Sequence, residues 1–108
     1  MLIVIVIVAF FAVAFLAQNY VKNRSMFTCI GNLRLIDGTK AQWASEHDKQ
    51  STDTPTVGDL QPYMCHGVTG DLPSCPNDRK HSFARSYLIN DVGGNPACKI
   101  MPTNHVLP

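Results

Sequence analysis

The first seventeen residues constrain this chain more than anything after them. Met1 to Ala17 reads MLIVIVIVAFFAVAFLA, with no polar or charged side chain, and every Lys, Arg, Asp, Glu and His comes later. A helix apolar on every side must be covered by protein or by lipid. From Gln18 to Pro108 only about a third of the residues are apolar, low for a globular domain and too few to wrap such a helix. A secretion signal is the other alternative. Its apolar core is about 7 to 15 residues, with basic residues before it and a small-x-small site after it. Nothing basic precedes this run, and Ala12-Val13-Ala14 lies inside it. A membrane span takes about 17 to 25 apolar residues, so the run is read as a short anchor.

The chain has the length of one domain. Its 9 basic and 8 acidic residues are interleaved and give a net charge of +1. No basic patch points to nucleic acid, and no acidic tail is present. A head this small and this polar leans on disulfides, a metal or a partner for stability. Lys22 and Arg24 directly after the run would by themselves place the head in the cytoplasm. Four cysteines in so small a domain point instead to an oxidising compartment, and they carry more weight than two charges on one flank.

Residues 18–50 are expected to prolong the first helix as an amphipathic rod, since no proline interrupts them. Met26, Cys29, Ile30, Leu33, Ile36, Trp43 and Ala44 fall near i, i+3, i+4 spacing and form one apolar stripe. Lys40 breaks the stripe; its stem is expected along the stripe with its head in water. Gly31 and Gly38 each cost on the order of 1 kcal/mol against alanine. A helix from Met1 to about Gln50 would be roughly 75 Å long.

Residues 51–108 read as a small, loop-rich head. Pro55 disfavours helix at Thr54. Thr56 can cap a short helix, with Asp59 at its third position, Leu60 and Tyr63 facing inward and Pro62 limiting its length. Residues 65–82 are rich in turn formers. Phe83 to Ile89 and Ala97 to Met101 are expected strands, joined across Asn90 to Pro96, with Gly93-Gly94 supplying a turn that needs positive φ. The fold class is therefore α+β: a long N-terminal helix, membrane-embedded in its first part, packed by a C-terminal antiparallel hairpin.

The stretch Cys29-Ile-Gly-Asn-Leu-Arg-Leu-Ile-Asp-Gly-Thr-Lys-Ala-Gln-Trp-Ala44 resembles the helix of small bacterial subunits of the type IV pilin and type II secretion pseudopilin (prepilin-type) family, which often carry C-I-N-N-L-R-x-I-D-G-A-K-x-Q-W-A. The chain is similar again at Thr54-Pro55-Thr56, Asp59-Leu60, Pro62-Tyr63, Cys75-Pro76, Tyr87, Val92-Gly93, Pro96 to Ile100 and His105 to Pro108. The likeness covers most of the chain from Val21 onward. It implies a lollipop shape, with Ile30, Leu33, Ile36 and Trp43 as helix-packing residues. It implies an inner-membrane subunit with its head in the periplasm or on an extracellular filament. The implied partners are the bilayer, like subunits and the assembly machinery. The family's basic leader and G-F-T-L-x-E motif, cut and then methylated at the new N-terminus, are not in this sequence. Met1-Leu2-Ile3-Val4-Ile5 resembles the residues just after that glutamate, so the expectation is that this sequence starts inside the mature helix.

Four cysteines allow three pairings, and sequence cannot choose among them. A bridge between Cys75 and Cys98 would close a loop of about 23 residues and stabilise by roughly 3 kcal/mol; the resemblance favours it. Cys29 and Cys65 would form the second bridge, unless Cys29 is simply a small buried apolar residue. Cys65, His66, Cys75, His81, Cys98 and His105 are the residues that could serve as zinc ligands. No C-x-x-C or H-x-x-x-H spacing supports them, so no metal or cofactor is expected. No nucleophile–base pair, calcium loop or phosphate loop stands out, and the expected role is structural rather than enzymatic. A stand-alone, single-pass anchor carrying an extracytoplasmic binding module is the alternative, and a secreted domain freed by signal peptidase a third.

Overall fold

The computed structural model describes residues 1–64 and 72–108. One helix dominates it. α1 runs from Leu2 to Glu46 without a break, and the molecule measures 71 × 30 × 19 Å. The helix forms because nothing in the stretch stops it: there is no proline, and the two glycines lie in open space on its outer side. It ends at Glu46, four residues before the expected limit. Asp48 adopts φ 54, and the Lys49 N–H turns back to the Ala44 carbonyl at 2.9 Å. That is the 6→1 closure of a left-handed C-cap, with aspartate where glycine is usual.

The head packs on the last part of α1. α2 spans Val57–Met64 and opens with the expected reciprocal cap. Thr56 Oγ1 accepts from the Asp59 N–H at 3.2 Å, while Asp59 Oδ2 accepts from the Thr56 N–H at 2.8 Å. Leu60 and Met64 turn their side chains fully inward.

The expected strand from Phe83 to Ile89 is corrected at its start. Phe83–Ser86 forms a single helical turn, α3, capped by Ser82. Strand β1 is only Tyr87–Leu88, and β2 only Ala97–Cys98. They pair antiparallel, Tyr87 opposite Cys98 and Leu88 opposite Ala97. The reason for the turn is local. The Asp78 carboxylate takes the N–H of Ser82 and the hydroxyl of Ser86, and this ties the segment into a coil that a strand could not supply.

The turn glycines are corrected too. Neither Gly93 nor Gly94 has positive φ; Asn90 does, at 62°. Gly93 is needed for space instead: a Cβ there would lie 3.1 Å from Ser51 Cβ and 3.2 Å from the Ser51 carbonyl. The fold is α+β, with a core of Cys29, Leu33, Ile36, Trp43 and Ala44 from α1 meeting Leu60, Met64, Cys75, Phe83, Tyr87 and Cys98 from the head.

Candidate functional site

Two features stand out: a bare apolar rod and a buried cluster of thiols. The rod is the front of α1. Its large apolar side chains from Met1 to Val21 lie in the open, from 48% exposed at Ile7 to 100% at Met1. The helix is long and apolar enough to cross a membrane, and its most apolar stretch has none of its residues buried. From Cys29 onward one face is covered. Leu33, Ile36 and Trp43 are buried against the head, while Ile30 is half-buried beside them. Lys49 Nζ stands 5.6 Å above the Trp43 ring, a cation–π contact.

Lys40 differs from the sequence expectation. Its ammonium is not in water but fully buried. It donates to the carbonyls of Ile89, Asp91 and Gly94 at 2.9, 2.8 and 2.5 Å. All three ammonium protons are used, and the loop after β1 closes over them. Burial lowers the pKa of the amine, against the opposing pull of Asp37 and Asp91.

The thiol cluster joins four separate segments. Cys29 comes from α1, Cys75 from the loop before α3, Cys98 from β2 and His105 from the closing turn, whose N–H bonds to the Met101 carbonyl. Their three Sγ atoms and one imidazole nitrogen all lie within 4.8 Å of one another. His105 Nδ1 is 3.5 Å from Cys75 Sγ and 3.9 Å from Cys98 Sγ. None of the four is more than 2% exposed. Cys29, Cys75 and Cys98 are free thiols in this structure. The expected Cys75–Cys98 pair is thus brought together with a third thiol and an imidazole beside it. Cys65, the expected partner of Cys29, lies outside the described residues, as does His66; His81 is exposed on the surface.

Each sulfur has a donor aimed at it. The Tyr87 hydroxyl donates to Cys29 Sγ at 3.6 Å and itself accepts from Asn32 Nδ2 at 2.9 Å. The Met101 N–H donates to Cys98 Sγ at 3.4 Å, and the Asn77 N–H to Cys75. Burial disfavours the charged forms of Cys29, Cys75 and His105. Burial pushes the Cys29 thiol far up, against the Tyr87 hydrogen bond, and raises the Cys75 thiol as well. Burial likewise raises the Tyr87 phenol and lowers His105, which keeps its imidazole uncharged near neutral pH.

A buried carboxylate holds the cluster's loop. Asp78, 1% exposed, accepts from the N–H groups of Lys80 and Ser82 and from the Ser86 hydroxyl. Arg85 Nε stands 3.4 Å away. The Ser86 oxygen in turn accepts the Cys75 N–H at 3.0 Å. Burial alone would raise the Asp78 pKa, but these hydrogen bonds and Arg85 outweigh it and leave the group below the usual carboxylate range. Sequence reasoning passed over Asp78 and the joining of Cys29 to His105, and placed the Lys40 head in water. Asp78 had a local cue, an aspartate in a turn with a serine four residues on; the others had none. No protein-family model, curated protein or solved structure matches the chain.

Proposed function

We propose that this chain is a structural, membrane-anchored subunit of the pilin and pseudopilin kind. It assembles through α1 into a type IV pilus or a type II secretion pseudopilus, its head in the periplasm or on an extracellular filament. One observation carries the reading: α1 is a single rod whose front is bare and apolar on every side, while the head grips only one face of its rear. At about 1.5–3 kcal/mol for each large apolar side chain, exposing that front to water costs tens of kcal/mol. It therefore resides in lipid and leaves lipid only for the apolar core of a bundle of like helices. The resemblance from Cys29 to Ala44 and at the C-terminal end supports the same reading.

The test is a photoreactive amino acid at Phe10 or Val13 of the full chain, expressed in bacteria that make pilin-like filaments. Adducts with other pilin-like subunits, together with protease access to the head from the periplasmic side, are the expected result. A membrane-bound chain that cross-links to lipid alone is instead a stand-alone anchor. A head shielded in the cytoplasm overturns both.

A further inference from the structure

We propose that Cys29, Cys75, Cys98 and His105 form a structural zinc site that locks the head onto the long helix. This inference is independent of filament assembly and stands on the geometry of the head alone.

The donor set is complete and closed. Structural zinc is held by four tetrahedral ligands, with Cys3His among the common sets, at about 2.3 Å to sulfur and about 2.0–2.1 Å to nitrogen. Such a tetrahedron has edges of roughly 3.5–3.8 Å by simple geometry. The two edges from His105 Nδ1, 3.5 Å to Cys75 Sγ and 3.9 Å to Cys98 Sγ, match it, and the remaining donor pairs lie within 4.8 Å. A disulfide accounts for less. It joins two sulfurs at about 2.05 Å, and leaves a buried imidazole facing it with no role.

The surroundings fit a metal as well. Thiolates bound to zinc are stabilised by N–H and O–H donors in an outer shell, and each of the three sulfurs has one, from Tyr87, Met101 and Asn77. No ligand is exposed, so no position is left open for substrate, and the site is structural rather than catalytic. Thiolate and imidazole together select a borderline-soft ion over calcium or magnesium. On binding, the three thiol protons pass to solvent and the site carries a charge of −1. Its reward is mechanical. The ligands come from α1, the loop before α3, β2 and the last turn, so one ion ties together a head whose two strands are each only two residues long.

The test uses the full chain extracted in detergent without added reductant. Elemental analysis is expected to find one zinc per chain. Exchange to cobalt(II) is expected to bring the visible bands of a tetrahedral ion and the near-ultraviolet charge-transfer bands of cobalt bound to thiolate. Tyr87→Phe, which removes the outer donor to Cys29 and leaves Asn32 its bond to the Ser74 carbonyl, is expected to weaken metal affinity about tenfold while Trp43 fluorescence stays native. His105→Ala is expected to remove the tetrahedral cobalt spectrum. Peptide mapping decides the remaining case: a disulfide that takes up Cys29, Cys75 or Cys98, with one another or with Cys65, overturns the proposal. So does a chain with all three thiols reduced that binds neither zinc nor cobalt.

Discussion

Lys40 Nζ lies 2.5 Å from the carbonyl oxygen of Gly94, fifty-four residues further along the chain. With the Ile89 and Asp91 carbonyls it completes a three-pronged clasp between the long helix and the loop after β1. Lys40→Met keeps the stem and removes the ammonium, which leaves three carbonyls without that donor. An unsatisfied buried polar group costs about 1–3 kcal/mol, so the head is expected to lose about 2–4 kcal/mol. Denaturant titration of the full chain in micelles, followed by the fluorescence of Trp43, measures it. An unchanged midpoint would mean that the clasp contributes nothing.

Acid is expected to loosen the head through Asp78. Its carboxyl titrates below the unfolded value of about 3.9. A depressed folded pKa gives stability that is complete above the unfolded value and lost as pH falls through the folded one. The wild-type head should therefore keep this contribution at pH 5 and shed it from about pH 4 downward. Asp78→Asn is expected to be less stable at neutral pH and to show a shallower acid limb. Some slope remains, because the Thr56 N–H also depresses the pKa of Asp59. Trp43 emission against pH, wild type beside variant, gives the comparison.

Core and rod should separate cleanly. Leu33 has no exposed surface and Phe27 is 67% exposed on the same helix. Leu33→Ala is expected to cost the head about 2–5 kcal/mol, and Phe27→Ala less than about 0.5 kcal/mol. Proteolysis rates of the head in micelles would rank them, and equal sensitivity would contradict the packing described.

A charge in the bare front should weaken residence in lipid. Aspartate near the centre of a membrane helix costs about 2.5–3.5 kcal/mol, a fraction of what the apolar front gains by leaving water. Val8→Asp is expected to raise the share of chain in the soluble or aggregated fractions without emptying the membrane fraction. The buried core residues of α1 lie from Cys29 onward, so Trp43 fluorescence in detergent should not change.

Features that depend on near neighbours and composition were legible in the residues themselves. Seventeen consecutive apolar residues begin a helix long and apolar enough to cross a membrane. The Thr56–Asp59 cap works because its partners are three residues apart. The spacing of Cys29, Leu33, Ile36 and Trp43 marks the face that is covered. The misread turn at Phe83–Ser86 shows where that logic stops. Four residues with strand-forming neighbours coil because the buried Asp78 carboxylate holds both the Ser82 N–H before them and the Ser86 hydroxyl at their end. The Cys29–Cys75–Cys98–His105 cluster lies further still from local reasoning. Zinc motifs are recognised when two ligands share a turn, and here each ligand sits on a different segment. Only the folding of the head across α1 brings them within reach of one ion. Likewise, only the loop's carbonyls, gathered from residues 89 to 94, make a charged lysine tolerable in the core. Hydrophobic pattern decides which face is buried; the satisfaction of buried polar atoms is settled by partners distant in the chain, and so by the tertiary structure alone.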